Sequence, residues 1–199
     1  AGKTLVIDAG TGIRELGLEL MSGPFGRGQG ELHLFFSHAH WDHIQGFPFF
    51  NPAYIPGNRI IIYSVHDLQK ALVEQQQFLT FPVPMSIMKA SIEFVTLNEG
   101  ETVHIGDVAV NCIRNAHPGD SYSFRIEDEQ NSFVFASDTE YKDLANGSVQ
   151  PHLAFFKNAD ALIFDAQYSL QEGWIKEDWG HSSAMIGVDM ALAAGVKQL

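Results

Sequence analysis

The alternation of apolar and polar positions divides the chain into short strands and a few helices. Residues 3–8 carry Leu5-Val6-Ile7 and read as a strand ending at Asp8. Gly10-Thr11-Gly12 then turns into a helix over residues 13–21, with Ile13, Leu16 and Leu20 at helical spacing. Residues 22–30 read as a glycine-rich loop, followed by a strand at 32–36 (Leu32, Leu34, Phe35, Phe36). Residues 44–50 are aromatic and proline-containing; Phe47, Phe49 and Phe50, with Trp41 and Tyr54, suit either a core or a pocket wall. A strand follows at 59–64, then an amphipathic helix at 67–78, with Leu68, Ala71, Leu72 and Phe78 apolar and Gln75-Gln76-Gln77 a solvated face. Phe81-Pro82-Val83-Pro84 breaks that pattern. From Ser91 the period becomes two, predicting strands at 91–96, 101–105, 108–114, 121–126 and 132–136. A helix near 149–157, a buried strand at 161–164 ending at Asp165, a helix from 182 to 194 and the opening of a strand at 196–199 complete the chain. With no repeat or low-complexity tract, the pattern predicts one α/β domain over residues 1–199.

Chemistry concentrates immediately after the strand at 32–36. Ser37-His38-Ala39-His40-Trp41-Asp42-His43 places three histidines and an aspartate within six residues. Histidine and carboxylate are natural ligands for Zn, Mn or Fe near neutral pH. In extended chain His38 and His40 share a face, because side chains alternate with period two. Asp42 and His43 lie past a bend and can address a second position. One peptide can thus begin two metal sites, and paired ions about 3.5–4 Å apart are a recurrent hydrolytic device.

Composition narrows the partners. Twelve Lys and Arg against 24 Asp and Glu give a net charge of −12, and the basic residues form no stripe. Long nucleic acid is disfavoured, since binding it draws on clustered cations; a small anionic or ester substrate is not. No apolar run of about 18 residues suggests a membrane span. Cys112 is the single cysteine, which fits a reducing compartment and reads as a small hydrophobe on a strand. With no visible signal peptide, the default localisation is cytoplasmic. The glycine pair at 10 and 12 lacks both phosphate-loop and dinucleotide fingerprints, so it reads as a tight strand-to-helix turn. His33, His66, His104 and His152 have no ligand context and are expected to be structural or exposed.

His38-x-His40-x-Asp42-His43 resembles the signature of the metallo-β-lactamase superfamily, and the resemblance extends over nearly the whole chain. It includes Asp8-Ala9-Gly10-Thr11-Gly12, Ala116-His117-Pro118-Gly119, Ser137-Asp138-Thr139-Glu140 and Gly180-His181-Ser182-Ser183. The His-Ser-Ser run is similar to the ribonuclease Z and cyclic-phosphodiesterase branch. The resemblance implies a four-layer αββα sandwich. It assigns His38, His40 and His117 to one divalent ion and Asp42 and His43 to a second, with Asp138 bridging. It also implies that Asp8 supports the metal loop through hydrogen bonds. Zinc is the first expectation, with Mn or Fe as alternatives. The family fold has strands before Lys3 and a last ligand histidine after the strand opening at Val196, so both ends are expected to be cut.

These residues predict a metal-dependent phosphodiesterase using a metal-held hydroxide on a small or cyclic phosphodiester. Asp42 would accept the proton of the attacking water. His181, preceding a helix whose N–H groups with Ser182 and Ser183 favour phosphate, would act as the acid, held in position by Asp165. Thioester or lactam hydrolysis, as in glyoxalase II or the lactamases, is the alternative enzyme reading. A metal-binding sensor domain is the alternative outside enzymology, and a homodimer is allowed. A redox role like that of the diiron flavoproteins would place Glu where this chain has His40.

Overall fold

The structure, a computed structural model, describes residues 4–142 and 147–199. These fall into two compact units divided after Leu97. Lys3, at the edge of the first expected strand, lies outside the described residues.

The first unit is built on a four-stranded parallel sheet in the order β1 (Thr4–Ile7), β2 (Glu31–Phe35), β3 (Arg59–Ser64), β4 (Ser91–Thr96). Parallel strands are covered on their faces and so read as near-continuous apolar runs, as Ile60-Ile61-Ile62-Tyr63 does. Leu32, Leu34 and Phe36 align on one face with Ile60 and Ile62, in the register Leu32↔Ile60 and Leu34↔Ile62. Against that face pack Ile13 from α1 (Gly12–Leu20) and Leu68 and Leu72 from α3 (Leu68–Gln75), together with Phe47 and Phe50. On the other face Phe35 stacks on Tyr63 with ring centroids 4.4 Å apart, and Tyr63 Oη meets His33 Nδ1 at 3.0 Å. Arg59 ties β2 to β4, donating from Nε and Nη2 to Glu93 and from Nη1 to Glu31, each at 2.9 Å.

Three expectations here are corrected. Helix α3 stops at Gln75, leaving Phe78 80% exposed outside it. Gln76 is buried, not solvated; its Nε2 donates to Val83 O at 3.2 Å, while Gln75 Nε2 donates to Ile44 O at 3.1 Å. The loop at 22–30 contains a 3-10 turn, Pro24–Arg27.

The second unit has a five-stranded sheet in the order β5 (Val103–Ile105), β6 (Val108–Arg114), β7 (Tyr122–Glu127), β8 (Ser132–Ala136), β9 (Ala161–Phe164). β5 to β8 pair antiparallel and β8–β9 parallel. Val134, Ala136 and Leu162 meet Phe156 of α4 (Gln150–Phe156) and Met190 and Ala191 of α6 (Ala184–Ala194) in one core cluster. Strand β9 is less buried than expected, Ile163 being half exposed. Residues 196–199 form no designated strand, yet Leu162 N donates to Gln198 O at 2.9 Å, so this segment begins to line β9. A helix the pattern does not reveal, α5 (Leu170–Ile175), starts at a capping box of Ser169 and Glu172. Cys112 is buried on β6, where burial pushes its thiol up to about 11.

Candidate metal centre

In the first unit β2 ends at Phe35, and the chain leaves the sheet carrying Ser37 and the histidines. Asp8, one residue past β1, sits in the left-handed region with φ 60°, a conformation retained where surroundings impose it. Its Oδ1 accepts from Ser37 N at 2.8 Å; its Oδ2 accepts from Ser37 Oγ at 2.7 Å and from His43 Nδ1 at 2.8 Å. The Ser37 hydroxyl has one proton and gives it to Asp8, so at 3.0 Å it accepts from His38 Nδ1. His38 and His43 are therefore both set as Nδ1–H tautomers, with Nε2 as the nitrogen that could ligate a metal. Fixing an imidazole through its far nitrogen is the outer-shell arrangement of metal-binding histidines.

His40 has extended backbone, φ −62° and ψ 151°, and caps the one-turn helix α2 (Trp41–Ile44). That is the expected bend. It carries Asp42 and His43 off the line of His38 and His40, and brings Asp42 Oδ2 to 3.5 Å from His43 Nε2. The His38 ring centre lies 4.4 Å from that of His40 and 4.2 Å from that of His43. Ala9 N donates to His43 O at 2.7 Å and Gly46 N to Ala9 O at 2.8 Å, locking α2 to the Asp8 turn. A Cβ on Gly46 would lie 2.0 Å from Gly10 O, so that contact requires glycine. Of the aromatics near this loop, Phe47 and Phe50 are core, while Trp41 and Phe49 line a cavity of about 560 Å³ with Gln45, Pro48 and Phe81.

In the second unit His117 follows β6, and its Nδ1 donates to Gly180 O at 2.9 Å, again leaving Nε2 as the nitrogen that could ligate a metal. That nitrogen lies 3.7 Å from Oδ2 of Asp138, which follows β8 in a left-handed conformation, φ 52°. Ser137 Oγ donates to Asp138 Oδ1, and Ser121 Oγ to its backbone carbonyl at 2.6 Å. Buried Asn115 joins both strand ends, donating to Ser121 Oγ at 2.8 Å and Ser137 O at 3.1 Å, while its Oδ1 accepts from Ser123 Oγ at 2.8 Å. Within the network of Asn115, Ser121 and Ser123 each side-chain donor thus meets an acceptor, which stiffens it.

Asp165, just past β9, accepts His181 Nδ1 on Oδ2 at 2.8 Å, with Thr139 N at 3.1 Å on the same oxygen and Gln167 N at 3.1 Å on Oδ1. The expected His–Asp pair is therefore formed. His181 also stands nearer His117 and Asp138 than the sequence indicates: each of the three offers an atom that could ligate a metal, all within 4.8 Å of one another. Ser182 has a different job from the one expected. It is buried, and its hydroxyl proton goes to Thr139 O at 2.6 Å, so it ties the His181 segment to the end of β8 rather than offering a donor to an anion. Ser183 caps α6, its Oγ accepting from Ile186 N at 3.4 Å.

The sequence reading misses Asn115, Ser121, Ser123, Glu140 and Gly180 as supports. Glu140 accepts from Asp178 N at 3.0 Å and Gly180 N at 3.3 Å, holding the loop that delivers His181 and the carbonyl under His117. Only the position of Glu140, two residues beyond Asp138, could have hinted at this. The four remaining histidines are structural or exposed as expected. His152 Nε2 bonds to Arg114 O at 3.1 Å, and burial lowers its pKa.

The donor set fits a divalent metal: imidazoles with tautomers fixed by Asp8, Ser37 and Gly180, and carboxylates oriented by hydroxyl and amide donors. A model of the beta-lactamase superfamily domain matches residues 3–199. The chain belongs to the beta-lactamase superfamily. Superfamily membership makes the coarse reading a metal-binding hydrolase fold using divalent metal. Solved structures agree on the fold. The metallo-beta-lactamase fold protein YhfI from Bacillus subtilis is 21% identical, with a TM-score of 0.71 over 97% of this chain and 70% of that one. Human tRNase Z, short form, is 17% identical, with a TM-score of 0.67 over 96% of this chain and 78% of its own. Zn²⁺-bound PqqB from Methylobacterium extorquens is 13% identical, with a TM-score of 0.57 over 96% and 63%. These likenesses bear out the metallo-β-lactamase fold class. Curated protein sequences give no match. No helix among the described residues is long and apolar enough to cross a membrane.

Proposed function

We propose that this superfamily member is a phosphodiesterase acting on a small or cyclic phosphodiester with two divalent ions, zinc first among them. The proposed ligands are His38, His40 and His117 for one ion and Asp42 and His43 for the other, with Asp138 shared. When bound, the ions supply a water ionised near neutral pH and positive charge for the oxyanion of the transition state.

The chain's own residues do the rest. Asp42 takes the proton of the attacking water, whose oxygen forms the new bond to phosphorus. As the bond from phosphorus to the leaving oxygen breaks, Nε2 of His181 gives that oxygen a proton, yielding a phosphomonoester and an alcohol. Asp165 binds Nδ1–H at 2.8 Å, which fixes Nε2 as the acting nitrogen. This bond is the observation that carries the phosphodiester reading. A thioester expels a good leaving group and has no need of a held acid; an alkoxide does. The fold likeness to human tRNase Z supports the same chemistry. The net charge of −12 supports a small substrate over a long polyanion.

The test is hydrolysis of bis(4-nitrophenyl) phosphate, a dialkyl phosphodiester and an acyl thioester by the metal-loaded protein. Phosphodiester turnover well above thioester turnover is expected; the reverse order would overturn the proposal. His181→Ala should slow the alkyl ester by about 10²–10⁴-fold and the nitrophenyl ester far less, because nitrophenolate leaves without a proton. Equal losses on both would remove His181 as the acid. Asp138→Ala should lose metal together with activity, and full metal occupancy in that variant would contradict a shared carboxylate.

A further inference from the structure

Helix α3 ends at Gln75, and the chain reverses in a turn at 77–80, Thr80 N and Phe81 N both donating to Gln77 O at 2.8 Å. The two residues at its tip are Phe78 and Leu79, 80% and 98% exposed. Turn tips ordinarily carry Gly, Pro, Asn, Asp or Ser; this one carries two large apolar side chains. The turn is also fixed from within. Thr80 Oγ1 donates to Gln75 O at 2.8 Å, and buried Gln76 donates from Nε2 to Val83 O at 3.2 Å. Phe81 stands edge-on to Phe49, with ring centroids 5.3 Å apart. Phe78 and Leu79 are thus held out in water as a knob.

Beside the knob the surface sinks into a cavity of about 530 Å³, lined by Phe78 and Leu79 themselves and by Val73 of α3, Pro84 and Met85. Val73 and nearby Ile87 are each about half exposed. Apolar surface gathered in this way marks an interaction site. The segment is also stripped of charge: residues 75–88 contain no Asp, Glu, Lys or Arg, in a chain of net charge −12.

That bareness selects the partner. Peripheral lipid binding draws on Lys and Arg around an apolar tip, and residues 75–88 supply none. Two copies of an acidic chain repel one another, so a face on which they meet has to be free of carboxylates, as this segment is. A knob with a hole beside it is, moreover, self-complementary. Under a two-fold rotation each copy's knob reaches the other's hole, and one contact is made twice. We propose that this turn is the contact of a homodimer, in which Phe78 and Leu79 of each copy enter the cavity at Val73, Pro84 and Met85 of the other.

Sedimentation velocity of the metal-loaded protein over a concentration series tests this. The mass should rise from 22.0 kDa toward twice that value. Leu79→Lys in the knob and Met85→Glu in the hole should each raise the dissociation constant about 100-fold or more, because every dimer would bury two charges without partners. Mixed in equal amounts, the two variants should dimerise again, the new ammonium of one meeting the new carboxylate of the other. Leu192→Glu, at a position of α6 that is 75% exposed, should leave the dimer intact, and circular dichroism checks that each variant is folded. A wild type that stays monomeric, knob and hole variants that dimerise as wild type does, a mixture that stays monomeric, or equal loss with Leu192→Glu would each overturn the assignment. A monomer that floats with phosphatidylcholine vesicles would give the patch to a lipid surface instead.

Discussion

Gly180 shows how closely a single residue can control the histidine set. Its φ of +80° is a region that L side chains rarely adopt, and its carbonyl holds Nδ1 of His117. A Cβ there would lie 2.5 Å from both His117 Nδ1 and Pro118 Cδ, and 2.9 Å from His117 Cα. Those atoms belong to a rigid ring, a proline and backbone, none of which can swing aside as a flexible side-chain end could. Gly180→Ala should therefore do two things together. It should destabilise by about 1–3 kcal/mol through backbone strain, and it should lower metal content by displacing His117. Elemental analysis and thermal melting check both; a variant with wild-type metal content and melting temperature would show that the contact relaxes without consequence. Asp8 is the counterpart under the other histidines, its three acceptor contacts orienting Ser37, His43 and, through Ser37, His38.

At the scale of elements, α5 poses the clearest question, because it is six residues long and buries none of them. Helices this short are marginal on their own, so its capping box carries much of its order. Ser169 Oγ accepts from Glu172 N at 3.3 Å, and Glu172 Oε2 accepts from Ser169 N at 3.0 Å and Ser169 Oγ at 2.8 Å. Ser169→Ala should cost about 1 kcal/mol locally. Hydrogen exchange should speed up for Leu170–Ile175 amides while β6 and β8 amides keep their protection; unchanged α5 exchange would show that packing, not the cap, holds it. The same element shows where sequence reading runs out. Strands β3, β4, β6 and β9 are legible to the residue because apolar type, period and flanking turns agree. Helix α5 has no apolar stripe, and its single readable sign is Ser169-x-x-Glu172. Gln76 misleads for a related reason: a buried amide whose Nε2 donates to Val83 O looks, by residue type alone, like a solvated one. The proposed ligands are legible as residue types at strand ends. The supporting bonds of Asn115, Glu140 and Gly180 are not, because they join segments up to 63 residues apart, as in the His117–Gly180 bond, and no local pattern records them.

For the whole molecule the histidine and carboxylate sets make a prediction about stability. The first unit crowds the imidazoles of His40 and His43 around that of His38, and the second gathers ligand atoms of His117, Asp138 and His181 within 4.8 Å of one another. Groups held this way are preorganised for a cation, and a ligand that binds only the folded chain stabilises it by mass action, about 4 kcal/mol at a free concentration 1,000-fold above Kd. At this chain length each kcal/mol moves the melting temperature by roughly 2–4 °C, so full loading should raise it by roughly 8–16 °C over the chelated protein. The proposed ligands come from both units: His38, His40, Asp42 and His43 follow β2, while His117 and Asp138 follow β6 and β8. Chelation should therefore reduce hydrogen-exchange protection in β2 and in β8 alike, and restoring the metal should recover both. Loss confined to one unit would mean that the ions are held by that unit's residues alone, and the shared role of Asp138 would have to be abandoned. No change in either melting or exchange would mean that the cluster holds no structural metal, and the hydrolase reading would lose the cation its chemistry requires.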